Sequence, residues 1–296
     1  MHDDQVHVTT EIVATLIRDQ FPQWSGKAIQ LLASTGTVHA IFRIGHDLSV
    51  RFPLRLADAD ETLAVLEREA QASAELAQVS QFPAPEPVAL GKPGAGYPMP
   101  WLVQTWVPGT IALDADPSGS HAFAEDLAVF IAALRGVDTQ GRRFSGEGRG
   151  GVLAHHDDWM AKCFEESEGL LDVPRLRQLW GHFRELPRTG ADVMSHMDLI
   201  PGNVLVAGDR LGGVLDTGGF GPADPALDLV SAWHLLQPGP RETLRRTLAC
   251  DDLEWERGKA WAFEQAMGVV WYYVESNPPM SKMGHQTLAR ILESTE

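Results

Sequence analysis

The chain of 296 residues is short of positive charge and almost without cysteine. Lys and Arg number 24 against 40 Asp and Glu, a formal net charge of −16. No basic run exceeds the neighbours Arg142 with Arg143 and Arg245 with Arg246, so the basic stripe of a nucleic-acid binder is missing. An acidic surface repels phosphate backbones and anionic membranes and attracts cations. The two cysteines, Cys163 and Cys250, belong to no CxxC or CxxH pattern, and two reduced, partly buried thiols are the expectation. No apolar run reaches the roughly 18 residues that a membrane-spanning helix needs. The opening MHDDQVHVTT is acidic where a signal peptide would be basic and then apolar. These absences lead us to expect a cytoplasmic protein with neither nucleic acid nor membrane as partner. Internal repeats and long low-complexity runs are also missing.

What is present is ordinary globular material, 44% apolar and 22% charged, in a length that suits two modest domains or one domain of two lobes. Residues 9–21 set Ile12, Val13, Leu16 and Ile17 at helical spacing, with Thr9 or Thr10 as the cap and Pro22 as the stop. Strand-like runs follow at 28–33, 39–45 and 48–54, punctuated by Gly36 and Gly45. An Ala- and Glu-rich helix is expected over 59–77, carrying Glu67, Glu69 and Glu75. A proline-rich connection then leads to WLVQTWVPG at 101–109, whose first seven residues read as a buried strand. Beyond it the pattern is mainly helical, over 121–134, 157–171, 175–186, 225–236 and 253–274. The expected class is α+β, a two-lobed arrangement with a small antiparallel-sheet lobe at 1–107 and a larger, mainly helical lobe at 108–296.

One stretch concentrates chemistry: SHMDLIPGNVLVAGDRLGGVLDTG, residues 195–218. It holds a His-x-Asp, an Asn five residues after that Asp, a short apolar hairpin turning at Gly208, Asp209 and Arg210, and Asp216 at the hairpin's end. Taken alone this is either a metal and phosphate site or a turn rich in Asx residues. Phosphoryl transfer from a nucleotide needs a carboxylate to orient the acceptor hydroxyl, oxygen ligands for Mg²⁺, cationic cover for the phosphates and a slot for adenine. Asp198 would supply the first. Asn203 and Asp216 would supply the second, and Mg²⁺ prefers few protein oxygens beside phosphate and water. The hairpin explains the spacing, because it carries the chain out and back.

The chain resembles the aminoglycoside phosphotransferase family of protein-kinase-like small-molecule kinases over nearly its whole length. SHMDLIPGNVLV is similar to that family's catalytic loop HGDLHPGN, GVLDTG to its metal-binding IDFG, GPADPALDLVSAW to VGDPAxDLAxAW, and WLVQTWVPG to its interlobe WLVYxWxPG. The opening helix ending in QFPQW, and ERGKAWAFEQAM near the C-terminus, resemble one bacterial branch. The resemblance implies a protein-kinase-like fold with Asp198 as catalytic base and Asn203 and Asp216 as metal ligands. It places Arg51 where kinases carry a phosphate-gripping Lys, and Glu69 where a helix glutamate pairs with it. It also implies adenine contacts from the backbone of Thr105 and Val107, and a nucleotide-covering loop at STGT with Thr35 and Gly36. Second-lobe acids that bind acceptor amino groups would include Asp157 and Asp158. Three departures stand out: Arg for Lys at 51, Met197 for a small Gly, and Thr217 with Gly218 and Gly219 before Phe220 in place of a Phe-Gly pair.

The implied activity is transfer of the γ-phosphoryl group of ATP or GTP, with Mg²⁺, to a hydroxyl of a small amine-bearing acceptor such as an aminoglycoside, with antibiotic resistance as a role the family suggests. The rivals are a kinase of a metabolite (choline, homoserine or a thio-sugar) or of a macrolide, an inactive nucleotide-binding module, and a non-enzymatic protein. Plainer readings accompany several residues. His196 is expected to hold the loop backbone, and Asp224 and Asp228 to brace or cap. Arg51 and Glu69 could be a surface ion pair, the acids of 155–172 a solvated helix face, and Trp233, Trp261 and Trp271 core.

Overall fold

The computed structural model describes residues 6–32, 39–146, 148–188 and 190–294. Two compact units separate, one drawn from Met1–Gln78, Pro83–Pro108 and Leu215–Gly219, the other from Val79–Phe82, Gly109–Val214 and Phe220–Glu296. The class is α+β, as expected. No helix among the described residues is long and apolar enough to cross a membrane.

The first unit opens with α1 (Thr10–Gln20), where the Thr9 hydroxyl accepts from the N–H of Ile12 at 3.3 Å and the chain enters extended. That cap satisfies one of the helix's orphan donors, and the apolar spacing buries Val13, Leu16 and Ile17. Strands β1 (Ile29–Leu31), β2 (His39–Ile44) and β3 (Leu48–Pro53) follow, then α2 (Ala59–Val79), β4 (Pro87–Gly91) and β5 (Trp101–Thr105). They form one antiparallel sheet in the order β1-β2-β3-β5-β4. Strand β4 falls within the segment expected to be a connection only. Its proline opens the strand and its strand lies at the sheet edge, the two positions where a missing N–H is tolerated. Phe52 stacks on Trp101 at 5.0 Å and meets the edge of Tyr97 at 5.0 Å. Each such fully buried ring contributes on the order of 2–3 kcal/mol of transfer energy. A Cβ at Gly91 would lie 2.0 Å from the Trp101 ring, so this strand comes close only because the residue is glycine.

Helix α2 is capped by Asp58, whose Oδ1 accepts from the N–H groups of Asp60 and Glu61 at 2.9 and 3.0 Å. Its buried residues Thr62, Leu66, Ser73 and Leu76 lie three to four apart or at multiples of a turn, a stripe on which Glu69 also falls.

The second unit contains β6 (Thr110–Ile111), α3 (Ala112–Ala115), α4 (His121–Arg135), α5 (Asp157–Glu166), α6 (Val173–Phe183), β7 (Val193–Ser195), β8 (Val204–Ala207), β9 (Arg210–Val214), β10 (Gly221–Ala223), α7 (Val230–Leu235), α8 (Pro238–Leu248), α9 (Asp252–Tyr272) and α10 (Pro278–Glu293). The hairpin expected from the sequence is β8 with β9. Ala207 pairs with Arg210 across Gly208 and Asp209, and Gly208 takes φ 65°, the left-handed backbone that a two-residue hairpin turn requires. Strand β6 adds to β8, and β7 pairs with β10. Helix α9 runs through the unit's core, burying residues on all its faces from Trp255 to Val270.

Helix boundaries differ from expectation where capping intervened. Helix α5 stops at Glu166 rather than 171, because Gly169 turns the chain at φ 80°. Helix α6 starts at Val173 rather than 175, with the Asp172 carboxylate as its cap. Helices α8 and α10 were not expected at all. Each opens on prolines, which read as breaks in sequence but suit the first turn, where the N–H has no partner to lose.

Candidate functional site

The residues singled out by the sequence fall into two groups, one in each unit. In the first unit, β3 carries Arg51, paired in register with Ile41 of β2 and Leu102 of β5. Packed from both sides, Arg51 is 9% exposed and donates from Nη2 to Asp216 Oδ1 at 2.8 Å. Its partner is therefore Asp216, where the sequence led us to expect Glu69. Glu69 instead packs against the turn that follows Asp216: a Cβ at Gly218 would lie 2.9 Å from the Glu69 Cβ. Glu69 Oε2 is buried without a hydrogen bond. Burial raises the Glu69 pKa above the usual carboxylate range, against the pull of the nearby Arg51 charge. His39, 3.4 Å from the Arg51 guanidinium, is pushed down to about 4 by burial and by that same charge. It is neutral at pH 7 and leaves Arg51 as the charge facing Asp216.

Asp216 has φ 55°, a left-handed conformation that Asp tolerates better than most residues. Its carboxylate is about half exposed. The Thr217 hydroxyl is buried without a hydrogen-bond partner, a cost that an apolar side chain at this position would not carry.

In the second unit, the loop after β7 carries His196, Met197 and Asp198. Asp228 pins it: its carboxylate accepts from Ser195 Oγ at 2.8 Å and from the N–H groups of His196 and Met197 at 2.9 and 3.3 Å. Those bonds hold Met197 at φ 77°, a conformation that strains a side chain by about 1–3 kcal/mol. Glycine would sit there without strain, so Met197 occupies the position at a cost. His196 is fully buried and its Nδ1 accepts from the Asp198 N–H at 3.4 Å, a loop-holding role. Asp224 is also a brace, paired with buried Arg257.

Asp198 receives three side chains. Arg149 Nη2 and Gln265 Nε2 each donate to Oδ1 at 2.9 Å, and Asn203 Nδ2 donates to Oδ2 at 3.1 Å and to the Asp198 carbonyl at 3.0 Å. With its nitrogen turned to Asp198, Asn203 has its amide oxygen left as a donor for a cation. Arg149 and Gln265 were not singled out from the sequence. Arg149 lies in the glycine-rich run GRG at 148–150, whose two glycines take φ 71° and 118°, and Gln265 lies inside the ERGKAWAFEQAM segment. Nothing in either stretch by itself points at a carboxylate 49 or 67 residues away.

The other nominated residues divide. Thr105 ends β5, and its N–H donates to the Glu86 carbonyl at 2.9 Å while its hydroxyl accepts from the Glu86 N–H. Val107 is buried. Thr35 and Gly36 lie outside the described residues. Asp157 is engaged by Arg184 through Nε and Nη2, at 2.6–3.0 Å, and by Trp180 Nε1 at 3.0 Å. The hydrogen bonds from Arg184 lower its pKa against burial. Asp158 is exposed beside it.

Asn203 offers an amide oxygen in the second unit and Asp216 a carboxylate in the first, and no cluster of three or more His, Cys, Asp or Glu ligands occurs among the described residues. Each is a hard oxygen donor, the type suited to a cation that takes most of its shell from phosphate oxygens and water, as Mg²⁺ does, and not to zinc. Both cysteines are free and buried.

The sequence pattern of a family described as "Phosphotransferase enzyme family" matches residues 30–261. No curated protein matches the chain significantly. Among solved structures, the chain is similar to the GDP complex of wild-type aminoglycoside 2'-phosphotransferase-IIIa, with TM-score 0.70, 18% identity, and 97% of this chain and 100% of that one covered. It is similar to the GDP and kanamycin complex of APH(2")-IIia, with TM-score 0.71, 18% identity and coverage of 96% and 99%. It is also similar to the apoenzyme of macrolide 2'-phosphotransferase MphH from Brachybacterium faecium, with TM-score 0.61, 18% identity and coverage of 95% and 98%.

Proposed function

Because the chain belongs to the phosphotransferase enzyme family, we propose that it moves the γ-phosphoryl group of ATP or GTP to a hydroxyl of a small, amine-bearing acceptor, with Asp198 as the base. The observation that carries this reading is the Asp198 carboxylate itself, oriented by Arg149, Gln265 and Asn203 on a loop that Asp228 pins. A base for phosphoryl transfer needs orientation more than unusual basicity, since the metaphosphate-like transition state asks for positioning and charge stabilisation.

The roles follow the chemistry of each group. Asp198 accepts a hydrogen bond from the acceptor hydroxyl and takes its proton as the oxygen attacks phosphorus. Asn203 and Asp216 would each offer an oxygen to magnesium, which when bound would supply positive charge to the nucleotide phosphates. Arg51 is buried in the sheet and forks toward phosphate where a lysine would offer a point charge. Its charge is held by Asp216. Glu69 lies beneath the turn that carries Asp216 and supports that turn. At the end of β5, Thr105 would meet adenine through its carbonyl, because its N–H is bound to Glu86, and Val107 through its backbone.

An amine-bearing acceptor is supported by the net charge of −16, by exposed Asp158, and by the kanamycin bound in one similar structure. Asp157, already neutralised by Arg184, would position α5 for Asp158. A macrolide acceptor is the second reading, supported by the similarity to a macrolide 2'-phosphotransferase. The test is release of ADP from Mg·ATP, or of GDP from Mg·GTP, across aminoglycosides, amino-cyclitols, macrolides, choline, homoserine and thio-sugars. Turnover is expected with an amine-bearing alcohol and should be lost in Asp198→Asn, which should still be stabilised by Mg·ATP. Wild-type turnover by Asp198→Asn refutes the assignment.

A further inference from the structure

Behind Asp198 a line of polar side chains runs into the second unit's helical core. Gln265 of α9 donates from Nε2 to Asp198 Oδ1 at 2.9 Å and presents Oε1 to His234 Nε2 of α7 at 3.0 Å. His234 Nδ1 lies 2.9 Å from Thr287 Oγ1 of α10, and that hydroxyl is also 3.0 Å from the Met283 carbonyl one turn back. Gln265, His234 and Thr287 are 7%, 3% and 0% exposed. Apolar side chains would fill such positions at less cost in desolvation.

The direction of every hydrogen in this line follows from its outer end. An ionised carboxylate only accepts, so the Gln265 amide nitrogen must face Asp198 and its oxygen must face His234. His234 Nε2 then has to carry a hydrogen. Burial, aided by the charges of Arg149 and Arg290, pushes the His234 pKa down to about 4, so the ring holds a single proton at neutral pH. Nδ1 is therefore bare, and the Thr287 hydroxyl must turn its hydrogen to Nδ1 and not to the Met283 carbonyl. The reverse order would set the Gln265 carbonyl oxygen against the Asp198 carboxylate. Two cations flank the line: Arg149 on Asp198, and Arg290 of α10, which donates to the His234 carbonyl at 2.6 Å.

We propose that Thr287, His234 and Gln265 form a one-way hydrogen-bond chain that sets the rotamer of Asp198, making all three positioning residues for the transfer step. The proposal rests on Asp198 being the base. Its physical basis is that a donor aimed at one carboxylate oxygen from a locked side chain holds the group in its productive orientation before substrate binds.

The test starts with the wild-type chain labelled with ¹⁵N-histidine. Two-bond ¹⁵N–¹H correlations, with His234→Gln for assignment, report which ring nitrogen carries the proton. Nε2–H at pH 7.5 is expected, and Nδ1–H overturns the chain. Thr287→Val then removes the last donor at nearly constant volume. It should shift the ¹⁵N resonance of His234 Nδ1, which loses its donor while Nε2–H stays fixed by Gln265, and lower kcat for ADP release from Mg·ATP, with water as the acceptor, about ten-fold at unchanged KM, the signature of an interaction that acts in the transition state. Thr287→Ser should restore both. A folded Thr287→Val with a shifted Nδ1 resonance and wild-type kcat overturns the positioning role. Wild-type turnover by Asp198→Asn would remove the base and leave the tautomer result standing, which separates the two failures.

Discussion

Arg257→Met removes the guanidinium of a buried ion pair in which Arg257 and Asp224 are 1% and 0% exposed. In the wild type Arg257 donates to Asp224 Oδ2 from Nε at 2.9 Å and again from Nη2. It also donates from Nη1 to the carbonyls of Leu186 and Pro187 at 2.5 and 3.1 Å, and from Nη2 to that of Gly151 at 3.3 Å. In the variant, Asp224 keeps only the N–H groups of Trp261 and Ala226, at 3.0 and 3.1 Å. Methionine preserves most of the apolar stem, so the loss is mainly electrostatic. Leaving one partner of a buried pair uncompensated costs about 3–5 kcal/mol. At about 2–4 °C per kcal/mol, the thermal midpoint should fall by roughly 6–20 °C. The assay is a four-chain cycle of wild type, Arg257→Met, Asp224→Leu and the double variant, followed by circular dichroism in heat and urea. The double variant should be more stable than Arg257→Met, because the stranded charge is gone. The same substitution should lower turnover well below the midpoint, since the Asp224 N–H holds the Gly150 carbonyl at 2.8 Å and Arg257 holds that of Gly151, just after Arg149. Destabilisation under about 1 kcal/mol, with Asp224 still charged, refutes the reasoning.

Three further outcomes are expected. Asp216→Ala strands Arg51 in the sheet and should abolish most of the thermal stabilisation by Mg·ATP, and an undiminished shift on adding nucleotide counts against its metal role. Protonation of His234 should appear in the acid limb of stability. The unfolded chain takes up that proton near pH 6.5, while the folded one resists to about 4. This contribution is therefore complete above pH 6.5 and lost as pH falls toward 4, by up to about 3 kcal/mol. In His234→Gln the urea midpoint should fall less over that window, and equal slopes in the two chains dispose of the assignment. Burial pushes the Cys163 and Cys250 thiols up to about 11, so neither should react with a thiol-directed reagent at pH 7.5 until the chain is unfolded. Prompt labelling of either would contradict the packing.

The segment 195–218 was legible because its information is local. Turn residues at Gly208 and Asp209, alternation in β8 and β9, and an Asp and Asn five apart all act within a few residues of each other. The α+β class and the phosphotransferase family were likewise readable, from element order and from motifs spread along the chain. Helices α8 and α10 were not, because a proline pair marks a helix start and a break with the same letters. Glu69 was expected to pair with Arg51; it lies near enough to feel that charge, but the hydrogen bond from Arg51 goes to Asp216, 165 residues on. In 155–172 Asp158 is exposed, whereas Asp157 is bound by Arg184.

By itself, the sequence determined the loop, the hairpin, the cap of α1, and which residue types could do phosphoryl chemistry. Each of these depends on sterics and hydrogen bonds that reach no further than a turn. Only the tertiary structure decided what surrounds Asp198: an arginine from a glycine-rich loop, a glutamine from α9, and behind it a histidine and a threonine whose hydrogens must all point one way. Such a network has no periodicity to betray it. It exists because burial forbids an unpaired donor or acceptor, and that demand arises only when distant segments have excluded water together.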